Sequence, residues 1–180
     1  MPGTLFLARS PLVQHVKAVD ISAAQLDLLQ SKLTEDTLQT DNEHNINTTS
    51  LVDKVQILEA DMLDLTFNNS MFDAVVALFS IVHLARREQK VMLERVYAWL
   101  GGGGYLLVNF VGTEMEDGGI VDGTWLEGSE ADPAFWDGFG PERTKTVLRD
   151  CGFEVLVAEV VDEVDDARFL WVVARKPGGK

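Results

Sequence analysis

The stretch Val16-Lys17-Ala18-Val19-Asp20-Ile21-Ser22-Ala23-Ala24-Gln25 reads as a buried strand, a tight turn and the start of a helix. The apolar run is short and closes on an acid. Ser22 to Gln25 has the pattern of a capping box, in which the serine hydroxyl accepts from the Gln25 N–H and the glutamine reaches back. Leu26, Leu29 and Leu33 then recur at helical spacing on one face. Outward from this unit the same grammar repeats. Val55 to Glu59 is a second strand, followed by Ala60-Asp61, and Phe72 to Leu78 is a third. The near-continuous apolar character of the third strand suits a position covered on both faces, as in a parallel sheet.

Arg86 to Leu100 follows as a helix with Leu93, Val96, Tyr97 and Leu100 on one stripe, ended by Gly101 to Gly104. Tyr105 to Val111 is a fourth strand. Pro141 opens another helix, where its missing N–H costs nothing; Thr144, Val147, Leu148 and Cys151 form its stripe and Gly152 stops it. Phe153 to Val161 and Arg168 to Arg175 are two last strands joined by the acidic turn Asp162 to Asp166. Several strand–helix units with a strand–turn–strand end predict an α/β fold in one domain, residues 1–180. Its sheet is mostly parallel with an antiparallel C-terminal edge. Two segments carry no periodicity: the polar stretch 34–50, read as a loop insertion, and 112–140, rich in glycine, acids and aromatics. A loop as long as the second is usually functional or disordered.

Composition narrows the function classes. The chain has 180 residues, 46% hydrophobic and 24% charged, the balance of an ordinary globular protein. No apolar run approaches the roughly 20 residues that cross a bilayer, and no basic region precedes the apolar start, so neither a membrane span nor a signal peptide is expected. The single cysteine, Cys151, cannot form an internal disulfide and fits a reducing compartment, with the cytoplasm as default. The formal net charge is -14, and between Glu114 and Asp166 sixteen acids face three bases. Such a segment repels phosphate backbones, so nucleic acid is not expected as a partner. The acids are either a solubilising surface or a preference for cationic or neutral substrates.

An acid closing a strand before a helix, as at Asp20, is what a nucleotide site uses to hold both ribose hydroxyls. Alone it is equally a turn former. Asp61 stands at the end of the next strand, where neighbouring strands of a doubly wound sheet face one crevice. A carboxylate there can accept from an adenine amino group, with Met62 beside the ring. His83, just past the third strand, can serve as a general base or pack near a helix start. Trp125, Phe135, Trp136 and Phe139 form either a substrate lid or a satellite core. His15 and His44 stand apart in loops, and with one cysteine and no paired histidine spacing no metal site is expected. Gly101 to Gly104 follows a helix and precedes a strand, the reverse of a phosphate cradle, and reads as a turn.

Val19-Asp20-Ile21-Ser22, Glu59-Ala60-Asp61-Met62, Phe72 through Leu84 and Trp99-Leu100-Gly101-Gly102-Gly103-Gly104-Tyr105-Leu106-Leu107, in this order, resemble successive motifs of class I S-adenosylmethionine-dependent methyltransferases. The resemblance runs from about Pro2 to Pro177 and implies a Rossmann-like fold. It also implies S-adenosylmethionine as cofactor and methyl transfer to a small-molecule acceptor. It assigns ribose to Asp20, with Ile21 beside it, and adenine to Asp61 and Met62. Leu78 to His83, with Phe79 and Ser80, flanks the methionine end and the substrate. If the aromatic loop is a lid, Trp125, Trp136 and Phe139 are its candidates for the substrate side.

The departure lies at the start. The family's first strand ends in an acid followed by spaced glycines, and Met1 to Leu5 resembles only the last residues of that loop, with Gly3 as its remnant. In the resemblance the absent strand sits between those ending at Asp20 and Leu78. Unpaired buried backbone groups cost about 1–3 kcal/mol each, against a domain stability of about 5–15 kcal/mol. Three outcomes follow: an N-terminally truncated product, which is the favoured reading, closure of the flanking strands, or Thr4 to Ala8 recruited as a replacement strand. The alternatives to catalysis are a non-catalytic relative and a subunit whose missing strand a protein partner supplies in trans. A nicotinamide-dependent oxidoreductase is a third reading, disfavoured by Asp61 and the antiparallel end.

Overall fold

The computed structural model describes residues 2–41, 50–115, 118–121, 134–162 and 168–179. It divides into two compact units, Met1–Leu65 and Thr66–Lys180. No helix among the described residues is long and apolar enough to cross a membrane.

The first unit contains α1 (Pro2–Arg9), β1 (Val16–Asp20), α2 (Ala23–Asp41), the single turn α3 (Leu51–Lys54) and β2 (Val55–Glu59). β1 and β2 pair in parallel with Asp20 opposite Glu59. Leu29 and Leu33 of α2 pack with Ala8, Ala18 and Val55 into one buried cluster. Burial of such side chains contributes about 1.5–3 kcal/mol apiece. The Gln25 N–H reaches the Ser22 hydroxyl at 3.4 Å, the donor half of the expected cap. Two expectations need correction. Thr34 to Asp41 is helical rather than loop: the Thr34 and Thr37 hydroxyls donate to Gln30 O at 2.9 Å and Leu33 O at 2.8 Å, so polarity does not interrupt the helix. Residues 42–49 of that stretch, His44 among them, lie outside the described residues. Thr4 to Ala8 is no replacement strand, because it lies inside α1 and turns Ala8 into the core.

The second unit contains β3 (Phe72–Ala77), α4 (Arg86–Trp99), β4 (Leu100–Val111), β5 (Gly119–Val121), β6 (Ala134–Trp136), α5 (Pro141–Asp150), β7 (Glu154–Asp162) and β8 (Arg168–Arg175). Four of these strands form one sheet in the order β3-β4-β8-β7, parallel at β3–β4 and antiparallel thereafter. The sheet is thus Rossmann-like with an antiparallel C-terminal edge. β8, the last strand of the chain, sits inside β7. On one face Leu106, Val108 and Phe110 of β4 are fully buried with Leu170, Val172 and Ala174 of β8. Leu93 and Val96 of α4 and Leu148 of α5 are buried as well.

Three readings shift here. The glycine run is not a detached turn. It belongs to β4, with Gly103 at φ 85° inside a bulge that carries the register from Phe72↔Leu100 to Ala74↔Tyr105. β3 is not covered on both faces: it is an edge strand of its sheet, and Asp73, Ala74 and Val76 are exposed. The stretch 112–140 is not irregular throughout, since β5 and β6 pair antiparallel within it.

Candidate functional site

In the first unit the parallel pairing brings the two sequence-predicted acids to the same end of adjacent strands. Asp20 closes β1 and Asp61 follows β2 by one residue; the Ala60 N–H donates to Asp20 O at 3.1 Å, which fixes this spacing. Each carboxylate is oriented by the backbone two residues on. Asp20 Oδ1 accepts from the Ser22 N–H at 2.9 Å, and Asp61 Oδ1 accepts from the Leu63 N–H at 2.8 Å, capping the short 3-10 turn Met62–Asp64. The second oxygen of each has no partner among the described residues. Ile21 beside them is 69% exposed, an apolar side chain held open to solvent, and Met62 is half-buried. Gly3 lies in the first turn of α1 with open space where a side chain would project.

In the second unit the segment after β3 carries the remaining predicted groups. Phe79 is 40% exposed and has φ 50°, a left-handed conformation that is rare for an aromatic residue. Its N–H donates to Oδ1 of Asn109 at 2.7 Å. Ser80 precedes the 3-10 turn Ile81–His83 and its hydroxyl does not cap that turn. His83 Nδ1 lies 3.1 Å from Phe135 O. A carbonyl only accepts, so Nδ1 carries the proton, and in the neutral ring Nε2 holds the lone pair that a base needs.

The aromatic residues separate. Trp136 is buried with Val82, Val111 and Phe169, and its ring meets His83 edge-on at 6.4 Å. Phe139 is buried too, beneath the Arg143 guanidinium at 5.8 Å. Phe139 nevertheless reaches the wall of a cavity. Trp125 lies outside the described residues. A cavity of about 400 Å3 opens on α4 and α5, lined by Arg86, Lys90 and Arg143 among others, but not by Phe79, Ser80 or His83.

Two residues of this region were not singled out from the sequence. Asp137, 5% exposed, accepts from the Arg86 N–H at 3.0 Å and meets the Arg86 guanidinium at 3.1 Å. Asn109 is fully buried in β4. Its signal was available: a lone amide in the otherwise apolar run Leu106-Leu107-Val108-Asn109-Phe110-Val111.

The profile of the methyltransferase-domain family matches residues 2–104, more than half of the chain. The chain belongs to that family. No protein with a curated description matches it. Among solved structures, a SAM-dependent methyltransferase from Methanosarcina mazei is similar with a TM-score of 0.71 and 14% identity, over 98% of this chain and 87% of that one. The [4+2]-cyclase SpnF gives 0.69 and 19%, over 97% and 70%. The 1,6-didemethyltoxoflavin-N1-methyltransferase of Burkholderia thailandensis, solved with its acceptor and S-adenosylhomocysteine, gives 0.56 and 14%, over 98% and 77%. At these identities the likeness establishes the fold. The cyclase among these neighbours shows that the fold by itself does not fix the chemistry.

Proposed function

We propose that this methyltransferase-domain protein transfers a methyl group from S-adenosylmethionine to a small-molecule acceptor, with Asp20 and Asp61 gripping the adenosine. The observation that carries the reading is the pair of backbone-oriented carboxylates at the ends of β1 and β2. The donor set fits the group. Asp20 offers acceptor oxygen to the ribose hydroxyls and Asp61 to the adenine amino group, while Ile21 and Met62 supply apolar surface for the ring. Gly3 leaves the first turn of α1 open to close approach. S-adenosylmethionine, when bound, supplies an electrophilic methyl on a sulfonium. The protein's part is to align the acceptor nucleophile and, where that nucleophile carries a proton, to accept it. His83 Nε2 is the base for that proton, in the tautomer set by Phe135 O. Phe79 and Ser80 border the acceptor.

Calorimetric titration with S-adenosylmethionine tests the reading. Saturable binding is expected, with a melting temperature that climbs with ligand as mass action requires. Asp20→Ala and Asp61→Ala should each weaken binding about tenfold or more, a loss of about 1.4 kcal/mol. Undiminished affinity in both variants would show that the adenosine is held elsewhere.

A second reading is a non-catalytic protein or a subunit completed by a partner strand. It draws on β3, an edge strand of its sheet with Val76 exposed. Exposed edges of this kind invite pairing with another chain. Size-exclusion chromatography separates the two readings, since an obligate complex predicts that the lone chain aggregates.

A further inference from the structure

The backbone conformation of Phe79 and the burial of Asn109 are each unfavourable alone, and they meet in one hydrogen bond. Among the described residues only Ser70 and Phe79 take positive φ without being glycine. Ser70 sits in a turn. Phe79 sits two residues past the end of β3, one residue before Ser80 and the turn that ends in His83. Left-handed backbone at a bulky residue persists only where its surroundings over-determine it. Here they are Oδ1 of Asn109, which accepts from the Phe79 N–H at 2.7 Å, and two rings met edge-on, Phe169 at 5.1 Å and Trp171 at 5.8 Å.

Asn109 is 0% exposed, flanked in β4 by the buried Val108 and Phe110 and opposite Trp171 of β8. An N–H can only donate, so the amide oxygen faces Phe79 and the NH2 group points away. That NH2 group is buried and has no acceptor among the described residues. An apolar side chain would fill this strand position without leaving a donor unsatisfied. A glycine at 79 would take φ 50° without strain. Packing alone accounts for neither choice.

We infer that Asn109 is a positioning residue. It holds the Leu78–Ser80 turn in the geometry that receives the ligand, acting through the Phe79 backbone rather than by touching cofactor or acceptor. The inference rests on the reading of this segment as the flank of the transfer centre and adds the residue that fixes its shape. Asn109 is the only polar side chain in β4 between Tyr105 and Val111. The bond it makes crosses from the core of the sheet to its functional end.

The test is a double-mutant cycle of Asn109→Leu with Phe79→Gly, on the full chain. Three measurements are made: thermal melting, amide hydrogen exchange at residue 79 and titration with S-adenosylmethionine. N109L should melt cooperatively, lose exchange protection at Phe79, and bind at least about fivefold more weakly, the lower end of usual coupling energies. In the Phe79→Gly background the same change should cost less than about twofold, because glycine takes φ 50° without the strain that the Asn109 bond offsets at phenylalanine. Asn109→Asp keeps an acceptor oxygen and should retain protection at Phe79; N109A replaces N109L if the leucine variant does not fold. Equal losses in both backgrounds, or full affinity in N109L, would overturn the inference while leaving the cofactor reading intact. If the wild-type chain takes up no S-adenosylmethionine, the functional reading falls. The exchange data then decide the positioning claim alone, and unchanged protection in N109L overturns it.

Discussion

Cys151 and Gly152 end α5 under two unlike constraints. Gly152 has φ 98°, and a Cβ there would lie 2.8 Å from Tyr97 Cζ. Gly152→Ala therefore meets both left-handed backbone, about 1–2 kcal/mol for an L-residue, and a ring that must move. A fall in melting temperature is expected, and an unchanged melt would mean that the helix can stop in another way. At Cys151 burial pushes the thiol pKa up, and the Glu94 carboxylate adds to the rise by opposing a second negative charge nearby. Thiolate is the reactive form, so less of it exists at a given pH than for an ordinary thiol. Alkylation by iodoacetamide at pH 8 should be slower for the folded chain than for the unfolded one, and should go on rising with pH beyond the range where a free thiol levels off. Equal rates in the two states would contradict this.

At the scale of elements, Asp137 ties the segment around β6 to the start of α4. Its Oδ2 accepts from the Arg86 N–H at the first position of the helix, where negative charge is favoured by the dipole. Its Oδ1 accepts from the Gly138 N–H at 2.8 Å and meets the Arg86 guanidinium. Gln89 Nε2 completes the tie, donating at 2.8 Å to both Leu84 O and Asp137 O. Asp137→Ala removes a charged acceptor that is only 5% exposed, and should cost about 1.5–3 kcal/mol, the usual worth of hydrogen bonds to a charged group. Thermal unfolding measures the loss. The carbonyl that fixes the His83 tautomer belongs to the same segment, so the imidazole nitrogen shifts of His83 should change in this variant as well. A stable variant with an undisturbed His83 would show that β6 is held by its aromatic contacts alone.

The molecule as a whole carries a net charge of -14, and self-repulsion of that size opposes compaction. The screening length shortens from about 30 Å at 0.01 M salt to about 8 Å at 0.15 M. The melting temperature should therefore rise over that range. A fall would mean that exposed pairs such as Arg168–Asp162 and Arg175–Glu154 outweigh the repulsion, against the small worth of surface ion pairs. Local chemistry reaches this far because charge and periodicity are properties of the chain itself. Leu26, Leu29 and Leu33 are buried as their spacing requires, and Pro141 and Gly152 bracket α5 as their backbone preferences dictate. Asp20 and Asp61 could be marked as strand-end acids before any contact was known. The sequence by itself thus determined the order of the main strands and helices and several of their ends, through signals that act within a few residues, but not the extension of α2 to Asp41, the start of β4 or the β5–β6 pair. Only the tertiary structure decided that β8 lies between β4 and β7, that β3 is an edge strand, that Phe135 O selects the His83 tautomer, and that Asn109 holds Phe79. Each of these is a contact between residues thirty or more positions apart or a choice among strand partners. No local preference encodes such a choice, because its energy exists only once the distant partner is in place.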